Sequence, residues 1–262
     1  MTGKKISKIK FTFDVITLMP QMFLALSDYG VVGRAFKEKN ALLHLWNPRD
    51  FSHNEHKTVD DRPYGGGPGM LMMVEPIVKS IQAARVRQVK QGLTNGKVIH
   101  MTPRGKPLDD KLVKDLVKET NLILIASRYE GIDERINPWI DDEISVGDFV
   151  TSGGELPAMT LIDCMVRQLP GILNTDESAI QDSFVNGLLD HPHFTRPEIY
   201  EGKRVPEILM SGDHEKIRIW RLKESLRLTW TKRPDLLAER LLTKEEARLL
   251  DEVRNEQEQD SI

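Results

Sequence analysis

The sequence has one cysteine and no long apolar run, and each of these shortages excludes a class of protein. Cys164 stands among apolar residues, so disulfides within the chain and cysteine-based metal sites are excluded and a reducing cytoplasm is expected. No run of about 18 apolar residues occurs, so we expect no membrane-spanning helix and no membrane as a partner. The lysine-rich start lacks the apolar stretch of a signal peptide, so we expect residues 1–10 to form a basic tail.

Two common nucleotide-binding motifs are missing as well. Segment 60–69 holds four glycines and two prolines, which predicts a loop. It matches neither G-x-G-x-x-G nor G-x-x-x-x-G-K-S/T, so a Rossmann dinucleotide site and a P-loop are not expected. Two interpretations of this loop stay open: a linker, or a site in which Arg62 and Tyr64 contact the phosphate and base of a nucleotide.

The features that are present predict an α/β fold. With 262 residues, of which 39% are hydrophobic, the chain is long enough for one large or two smaller globular domains. Predicted strands and helices alternate up to residue 170, which indicates a largely parallel sheet. The predicted strands are 11–19, 41–46, 97–102, 122–126 and 146–150, and the predicted helices are 21–26, 71–87, 108–119 and 156–169.

Three of the predicted strands end in loops of small or glycine residues, at 102–103, 127–131 and 150–154. The carboxyl ends of parallel strands meet at one edge of a sheet, so these loops predict a ligand pocket there. Gly153 and Gly154 allow main-chain groups to approach a ligand closely, and the start of the following helix adds a partly positive end.

The C-terminal part of the chain differs in composition. Residues 173–197 are polar and without periodicity, which predicts a linker between domains. Residues 198–262 are expected to form a small helical domain, in which Thr243-x-x-Glu246 is a capping box. Segment 216–233 carries seven Lys or Arg against one acid. That segment fits either a solvated helix face or a surface that attracts phosphates.

Four stretches of the sequence resemble one family. They are R-P-Y-G-G-G-P-G-M from Arg62, S-R-Y-E-G-I-D-E-R from Ser127, S-V-G-D-F-V-T-S-G-G-E-L-P-A from Ser145, and D-S-F-x-x-G-L-L-D-x-P-H-F-T-R-P from Asp182. They resemble the bacterial tRNA (guanine-N1)-methyltransferase family (TrmD) of the SPOUT superfamily, over about residues 11–250.

The resemblance implies an architecture that the residue patterns alone do not show. It places a SPOUT methyltransferase domain with a C-terminal trefoil knot at 11–172, and an all-helical tRNA-binding domain at 198–262. It also implies a cytoplasmic, tRNA-modifying homodimer with its active site at the subunit interface.

The implied reaction transfers a methyl group from S-adenosyl-L-methionine to N1 of guanine 37, in a tRNA with guanine at positions 36 and 37. This modification helps maintain the reading frame. N1 of neutral guanine carries a hydrogen, so a base must remove it, and the negative charge that develops at O6 needs a cation. By resemblance, Asp182 is the general base and Arg167 is the stabilising cation.

The resemblance also assigns the residues around the methyl donor. They are Met101, Pro103, Ser127, Tyr129, Glu130, Gly131, Val146, Gly147, Asp148, Phe149, Val150, Thr151, Gly153, Gly154 and Pro157. The chain departs from the common family pattern at His100, Ser127 and Thr151, where tyrosine, glycine and leucine are usual. Of these, we expect a side chain at position 127 to crowd a close backbone approach. Glu130 is expected to help hold Mg²⁺, although no spacing of metal ligands in the sequence predicts a metal site.

Other interpretations remain open from the sequence. A structural or tRNA-facing role fits the loop histidines His191 and His193 better than metal binding. The protein could instead be a non-catalytic RNA-binding module in which the basic segment acts alone. A hydrolase with Ser152 as nucleophile is disfavoured, because Val150-Thr151-Ser152-Gly153 lacks the first glycine of G-x-S-x-G.

Overall fold

The structure, a computed structural model, describes residues 11–173, 182–238 and 240–260. The chain divides into two compact units, Met1–Asn174 and Thr175–Ile262. The predicted basic tail and residues 174–181 of the predicted linker lie outside the described residues. In the part of the chain that is described, no helix is both long and apolar enough to cross a membrane.

The first unit is built on five parallel strands. They are β1 (Phe11–Thr17), β2 (Ala41–Trp46), β5 (Lys97–Pro107), β6 (Asn121–Ala126) and β7 (Asp142–Ser145), in the order β2-β1-β6-β5-β7. A separate antiparallel pair joins β3 (Asp60–Asp61) to β4 (Leu71–Met72). Every neighbouring pair in the large sheet is parallel, which confirms the α/β prediction.

Helices cover both faces of this sheet. They are α1 (Leu24–Ser27), α2 (Gly30–Lys37), α3 (Val74–Lys90), α4 (Asp110–Val117) and α5 (Glu155–Gln168). In β6, Leu122 and Leu124 pack with α2, α4 and α5, whereas Ile123 and Ile125 pack with α3 on the opposite face. Successive side chains of a strand point to opposite faces, so a strand covered on both sides needs a continuous apolar run. Full burial of each such side chain contributes about 1.5–3 kcal/mol.

Several element boundaries differ from the sequence prediction. The loop predicted at 102–103 is wrong, because β5 continues to Pro107 with an irregularity after Met101. The strand predicted over 146–150 is wrong, because β7 ends at Ser145 and Gly147 has a φ of +148°, which a strand does not use. Residues 146–150 form a loop instead. The helix predicted over 71–87 begins only at Val74, because the residues before it pair with β3.

The described part of the second unit contains three α-helices, a short 3-10 helix (Glu207–Met210) and one strand pair. The helices are α6 (His214–Lys232), α7 (Pro234–Ala238) and α8 (Lys244–Asp260), and the strands are β8 (Ile199–Tyr200) and β9 (Lys203–Arg204). The predicted capping box is confirmed: the Glu246 amide donates to Thr243 Oγ1 at 3.2 Å, and the Thr243 amide donates to the Glu246 carboxylate at 2.8 Å. The strand pair departs from the all-helical expectation, because Glu201 and Gly202 both have positive φ and form a tight hairpin turn.

Candidate active site

A cleft lies at the carboxyl edge of the sheet, where β6, β5 and β7 are neighbours. All the residues that the resemblance assigns to the methyl donor line this cleft, with the exception of Asp148. It is lined further by His100, Thr102, Ile144 and Ser145. The last two were missed because the strand before the third loop was predicted too late in the sequence.

The third loop contains glycines at positions where a side chain would collide with neighbouring atoms. A Cβ at Gly154 would lie 2.8 Å from the Cα of Ala126 and 2.9 Å from the amide nitrogen of Ser127. The Gly154 amide donates to the Ser127 carbonyl at 2.7 Å, so the start of α5 is held directly against the end of β6. The wall of the cleft at this point consists of main chain.

A buried ion pair lies behind the glycine bend. Arg128 Nε is 2.9 Å from Glu155 Oε2, and the Thr17 hydroxyl donates to Glu155 Oε1 at 2.9 Å. Glu155 is fully buried at the first position of α5, where a helix N-terminus favours negative charge and where burial requires a partner. The pair connects β1, the loop after β6 and α5. Sequence reasoning missed it, although an acid directly after two glycines at a helix start was a usable signal.

Two of the residues that depart from the family pattern contact each other. His100 on β5 is only 3% exposed, its Nε2 lies 2.9 Å from Ser127 Oγ, and its Nδ1 lies 3.3 Å from Glu143 Oε1. Burial lowers the pKa of His100, although the hydrogen bond to Glu143 and the charge of that carboxylate act in the opposite sense. The Ser127 side chain is accommodated by His100, and this is why its presence does not close the cleft.

The second loop contains a strained residue. Tyr129 has a φ of +62°, which is uncommon for a residue with a side chain, and strain of this kind clusters at functional sites. The Glu130 amide donates to the Met70 carbonyl at 2.9 Å, so this loop is attached to the end of segment 60–69. That segment connects two paired strands of the first unit, and the linker interpretation is therefore wrong.

The residues with implied catalytic roles are placed differently. Arg167 lies in the last turn of α5, whereas the cleft is lined by the first turn. At a rise of about 1.5 Å per residue, Arg167 lies about 15 Å along the helix from Pro157, the residue of α5 that lines the cleft. Asp182 belongs to the second unit, where it is half-buried and lines a cavity together with Asp190, His191 and Arg221.

One group of three side chains among the described residues could hold a metal ion. It consists of Asp190, His191 and His193, whose ligand atoms lie within 4.8 Å of one another, and it does not include Glu130. His193 Nε2 hydrogen-bonds to Asp190 Oδ2 at 2.8 Å, and the two histidine rings lie 4.4 Å apart. Burial opposes ionisation of Asp190, but the hydrogen bonds from His193 and from the His191 amide outweigh it and lower the pKa of the carboxyl group. These contacts fit the structural role predicted for the two histidines.

Acids of α8 neutralise much of the basic segment. Arg218, Lys223 and Arg227 pair at 2.5–3.0 Å with Glu245, Glu252 and Glu256. Arg221 and Lys232 have no ion pair within the described ranges. Only a few of the seven cations in this segment are therefore left to attract phosphates.

Ser152 lacks the partners of a hydrolytic nucleophile. Within the described part of the chain no histidine hydrogen-bonds to it, and its carbonyl accepts from Arg128 Nη1 at 3.3 Å. A serine hydroxyl needs an adjacent base to attack a carbonyl group. The hydrolase alternative has no support in this geometry.

Comparison with known proteins identifies the family. A family model described as tRNA (Guanine-1)-methyltransferase TrmD matches residues 11–239. The chain is similar to a tRNA (guanine-N(1)-)-methyltransferase of Methylobacillus flagellatus, 56% identical over 250 residues that cover 95% of this chain and 94% of the relative. Relatives of the same name occur in Nitrosospira multiformis (55% identical, 94% and 97% covered) and Pasteurella multocida (54% identical, 92% and 98% covered). The chain therefore belongs to the tRNA (guanine-1)-methyltransferase TrmD family.

Proposed function

We propose that the chain transfers a methyl group from S-adenosyl-L-methionine to N1 of guanine 37 in tRNA. The observation that carries the proposal is the cleft, in which the loops after β6 and β7 meet the irregular end of β5 at one edge of the sheet. Membership of a family whose curated relatives are named tRNA (guanine-N(1)-)-methyltransferases supports the substrate and the position of methylation on the base.

The cleft fits an adenosine-bearing methyl donor. Met101, Ile144 and Pro157 give it apolar walls, and the main chain of Gly154 forms part of the wall where it packs on the end of β6. A flat purine ring suits such a space, because apolar surface covers its faces and main-chain groups can bond to its edge. When bound there, S-adenosylmethionine supplies an electrophilic methyl group on a sulfonium.

The chain's own residues supply the proton chemistry. We assign Asp182 as the base that accepts the N1 proton of guanine, and Arg167 as the guanidinium that stabilises the negative charge at O6. A planar, permanently charged guanidinium is suited to this second role. We assign no step to Mg²⁺, because Glu130 stands outside the one group of three possible ligands among the described residues.

The length of α5 supports a homodimer with a shared active site. A side chain that starts about 15 Å along the helix from the cleft is too far away to act in the cleft of its own copy, so we assign Arg167 to the cleft of a second copy. Exposed apolar side chains at the start of the helix and on the cleft rim fit an interface: Phe149 is 58% exposed, Val150 84% and Leu156 51%.

We further infer the domain roles that the resemblance implies. Residues 11–172 form the methyltransferase domain with a trefoil knot, and the close packing of Gly154 on the end of β6 fits a chain that passes tightly through its own fold. Residues 198–262 form the tRNA-binding domain. Several cations of the basic segment are paired with acids of α8, which argues against a module that binds RNA through this segment alone.

A methyl-transfer assay tests the proposal. The full chain is incubated with S-adenosylmethionine labelled in the methyl group and with unmodified tRNA that has guanine at 36 and 37. We expect label at N1 of guanine 37, and none in a transcript with adenine at 37. Donor binding without label in any tRNA would reject the proposal, and tRNA binding without donor binding would favour the non-catalytic module.

A further inference from the structure

His100, Ser127 and Glu143 form a chain of hydrogen bonds that ends at the cleft. His100 and Glu143 are register partners on β5 and β7, and Ser127 directly follows β6. The chain runs from a carboxylate, through an imidazole, to a hydroxyl group on the cleft wall, with separations of 3.3 and 2.9 Å. Three neighbouring strands therefore cooperate to orient one hydroxyl group.

The carboxylate determines where each hydrogen lies. A carboxylate only accepts hydrogen bonds, so Nδ1 of His100 carries the hydrogen and Nε2 presents a lone pair. Arg104 Nε donates to the same Glu143 oxygen at 3.0 Å, so this oxygen accepts from both neighbours. The Ser127 hydroxyl must then donate to Nε2 of His100, which leaves only lone pairs on its oxygen for a ligand.

We propose that Ser127 Oγ is a hydrogen-bond-acceptor subsite for the methyl donor, and that His100 and Glu143 fix its polarity. The inference rests on the proposed function, because it takes S-adenosylmethionine as the ligand. That molecule offers three kinds of partner: the 6-amino group of adenine, the ribose hydroxyls and the ammonium group of the methionine part. A glycine at position 127 has no side chain that could supply this acceptor.

Protonation of His100 would reverse the polarity of the subsite. An imidazolium donates from both nitrogens, so the Ser127 hydrogen would turn toward the ligand, where an amino or ammonium group could not accept it and a ribose hydroxyl would have to reverse its own hydrogen bond. The charged groups that face His100 are Glu143 from β7, Arg104 from β5 and Glu134 from the helical turn 134–139. Because burial lowers the pKa of His100, this residue is neutral near neutral pH and the Ser127 oxygen can accept a hydrogen bond. We expect the affinity for S-adenosylmethionine to fall as the pH drops below that pKa.

Calorimetric binding of S-adenosylhomocysteine to the full chain tests the subsite. We expect Ser127→Ala to weaken binding about three- to tenfold, the usual effect of one lost hydrogen bond. Ser27→Ala is the matched control, since Ser27 lies on α1 outside the cleft, and it should bind like wild type.

Ligand analogues identify the group that Ser127 contacts. The 6-oxo analogue lacks the adenine amine, the deoxy analogues lack one ribose hydroxyl each, and 5′-methylthioadenosine lacks the amino-acid part. The analogue without the partner group should bind wild type and Ser127→Ala equally, and the others should keep the difference. The inference would be overturned if wild type and Ser127→Ala bound every ligand with equal affinity. It would also be overturned if their affinities differed by the same factor for every ligand.

A second variant separates polarity from packing. His100→Gln retains an oxygen that can accept from Ser127 and cannot be protonated. It should still bind S-adenosylhomocysteine near pH 7.5, and its affinity should not fall toward about pH 5.5 as the affinity of wild type does. Equal pH dependence in both proteins would count against the inference, whereas a wild-type protein that does not bind the ligand at all would reject the proposed function itself.

Discussion

At the scale of single residues, the proposed chemistry depends on where protons are held. Asp182 is half-buried and has to exchange a proton with guanine, so it needs access to the base. His100 is buried between Glu143 and Ser127, and in the proposed subsite it orients the Ser127 hydroxyl group without reacting. The same function thus uses one titratable group as a reactant and another as a fixed part of the wall.

Replacement of Asp182 by asparagine tests the first of these roles. The amide has the same shape but cannot accept the N1 proton, so we expect methyl transfer to fall by about 10²–10⁴-fold while donor affinity changes little. Single-turnover rates and calorimetry measure the two quantities. Asp251→Asn on α8 removes an equal charge at an exposed site and should leave both unchanged. Transfer by Asp182→Asn within tenfold of wild type would show that another group is the base.

At the scale of the elements, the start of α5 carries the most specific constraint. In Gly154→Ala the new Cβ would lie 2.8 Å from the backbone of Ala126, which cannot move aside as a side chain could. Such overpacking costs about 1–3 kcal/mol, and we expect both the free energy of unfolding and the donor affinity to fall. Urea denaturation and calorimetry measure the two effects.

A second glycine provides the control for this prediction. Gly92 follows α3 with a φ of +73°, and a Cβ there meets nothing within 4 Å. Gly92→Ala should therefore cost about 1–2 kcal/mol through backbone strain alone and leave donor affinity unchanged. If Gly154→Ala bound the methyl donor as tightly as wild type, the claim that main chain at Gly154 forms the cleft wall would be contradicted.

The pairing of α6 with α8 leads to a prediction about salt. Lys223 is held by Glu252 and Glu256, whereas Arg221 is exposed and has no ion pair within the described ranges. If the second unit binds tRNA phosphates, Arg221→Gln should weaken binding and reduce the slope of log affinity against log salt by about 1. Lys223→Gln, a loss of equal charge, should leave the slope unchanged. Filter binding at about 50–200 mM salt measures it, and equal slopes for wild type and Arg221→Gln would exclude a phosphate contact.

The elements also show how far the sequence could be interpreted. β6 and the capping box at Thr243 were predictable, because each depends only on residues close together in the sequence. The strand is a continuous apolar run, and the capping box is a hydrogen-bond pattern over four residues. The strand before the third loop was misplaced, because an apolar stretch after Gly147 looks like a strand while the backbone at that glycine does not allow one. The contact of His100 with Glu143 could not be predicted, since it depends on β5 pairing with β7 across more than thirty intervening residues.

At the scale of the whole molecule, the proposed function needs Arg167 and the cleft in one site, although they lie at opposite ends of one helix. The donor cleft and Arg167 lie at opposite ends of α5 in the first unit, and a helix is too stiff to fold back on itself. A two-fold dimer solves this problem, because the same patch on both copies meets itself and two equal sites result. The exposed apolar rim of the cleft gives such an interface an apolar surface to bury.

Mixed dimers test this arrangement directly. Arg167→Ala keeps an intact cleft but lacks the cation, whereas Pro103→Trp keeps Arg167 but fills the cleft at an exposed residue of its wall, away from the apolar side chains assigned to the interface. We expect each variant to be inactive alone. Co-expressed with different affinity tags and purified as a mixed dimer, the two should recover about half of the wild-type activity, because one of the two sites then combines an intact cleft with an intact Arg167. If the cleft and Arg167 of the same copy formed the site, both sites of the mixed dimer would be damaged and no activity would return.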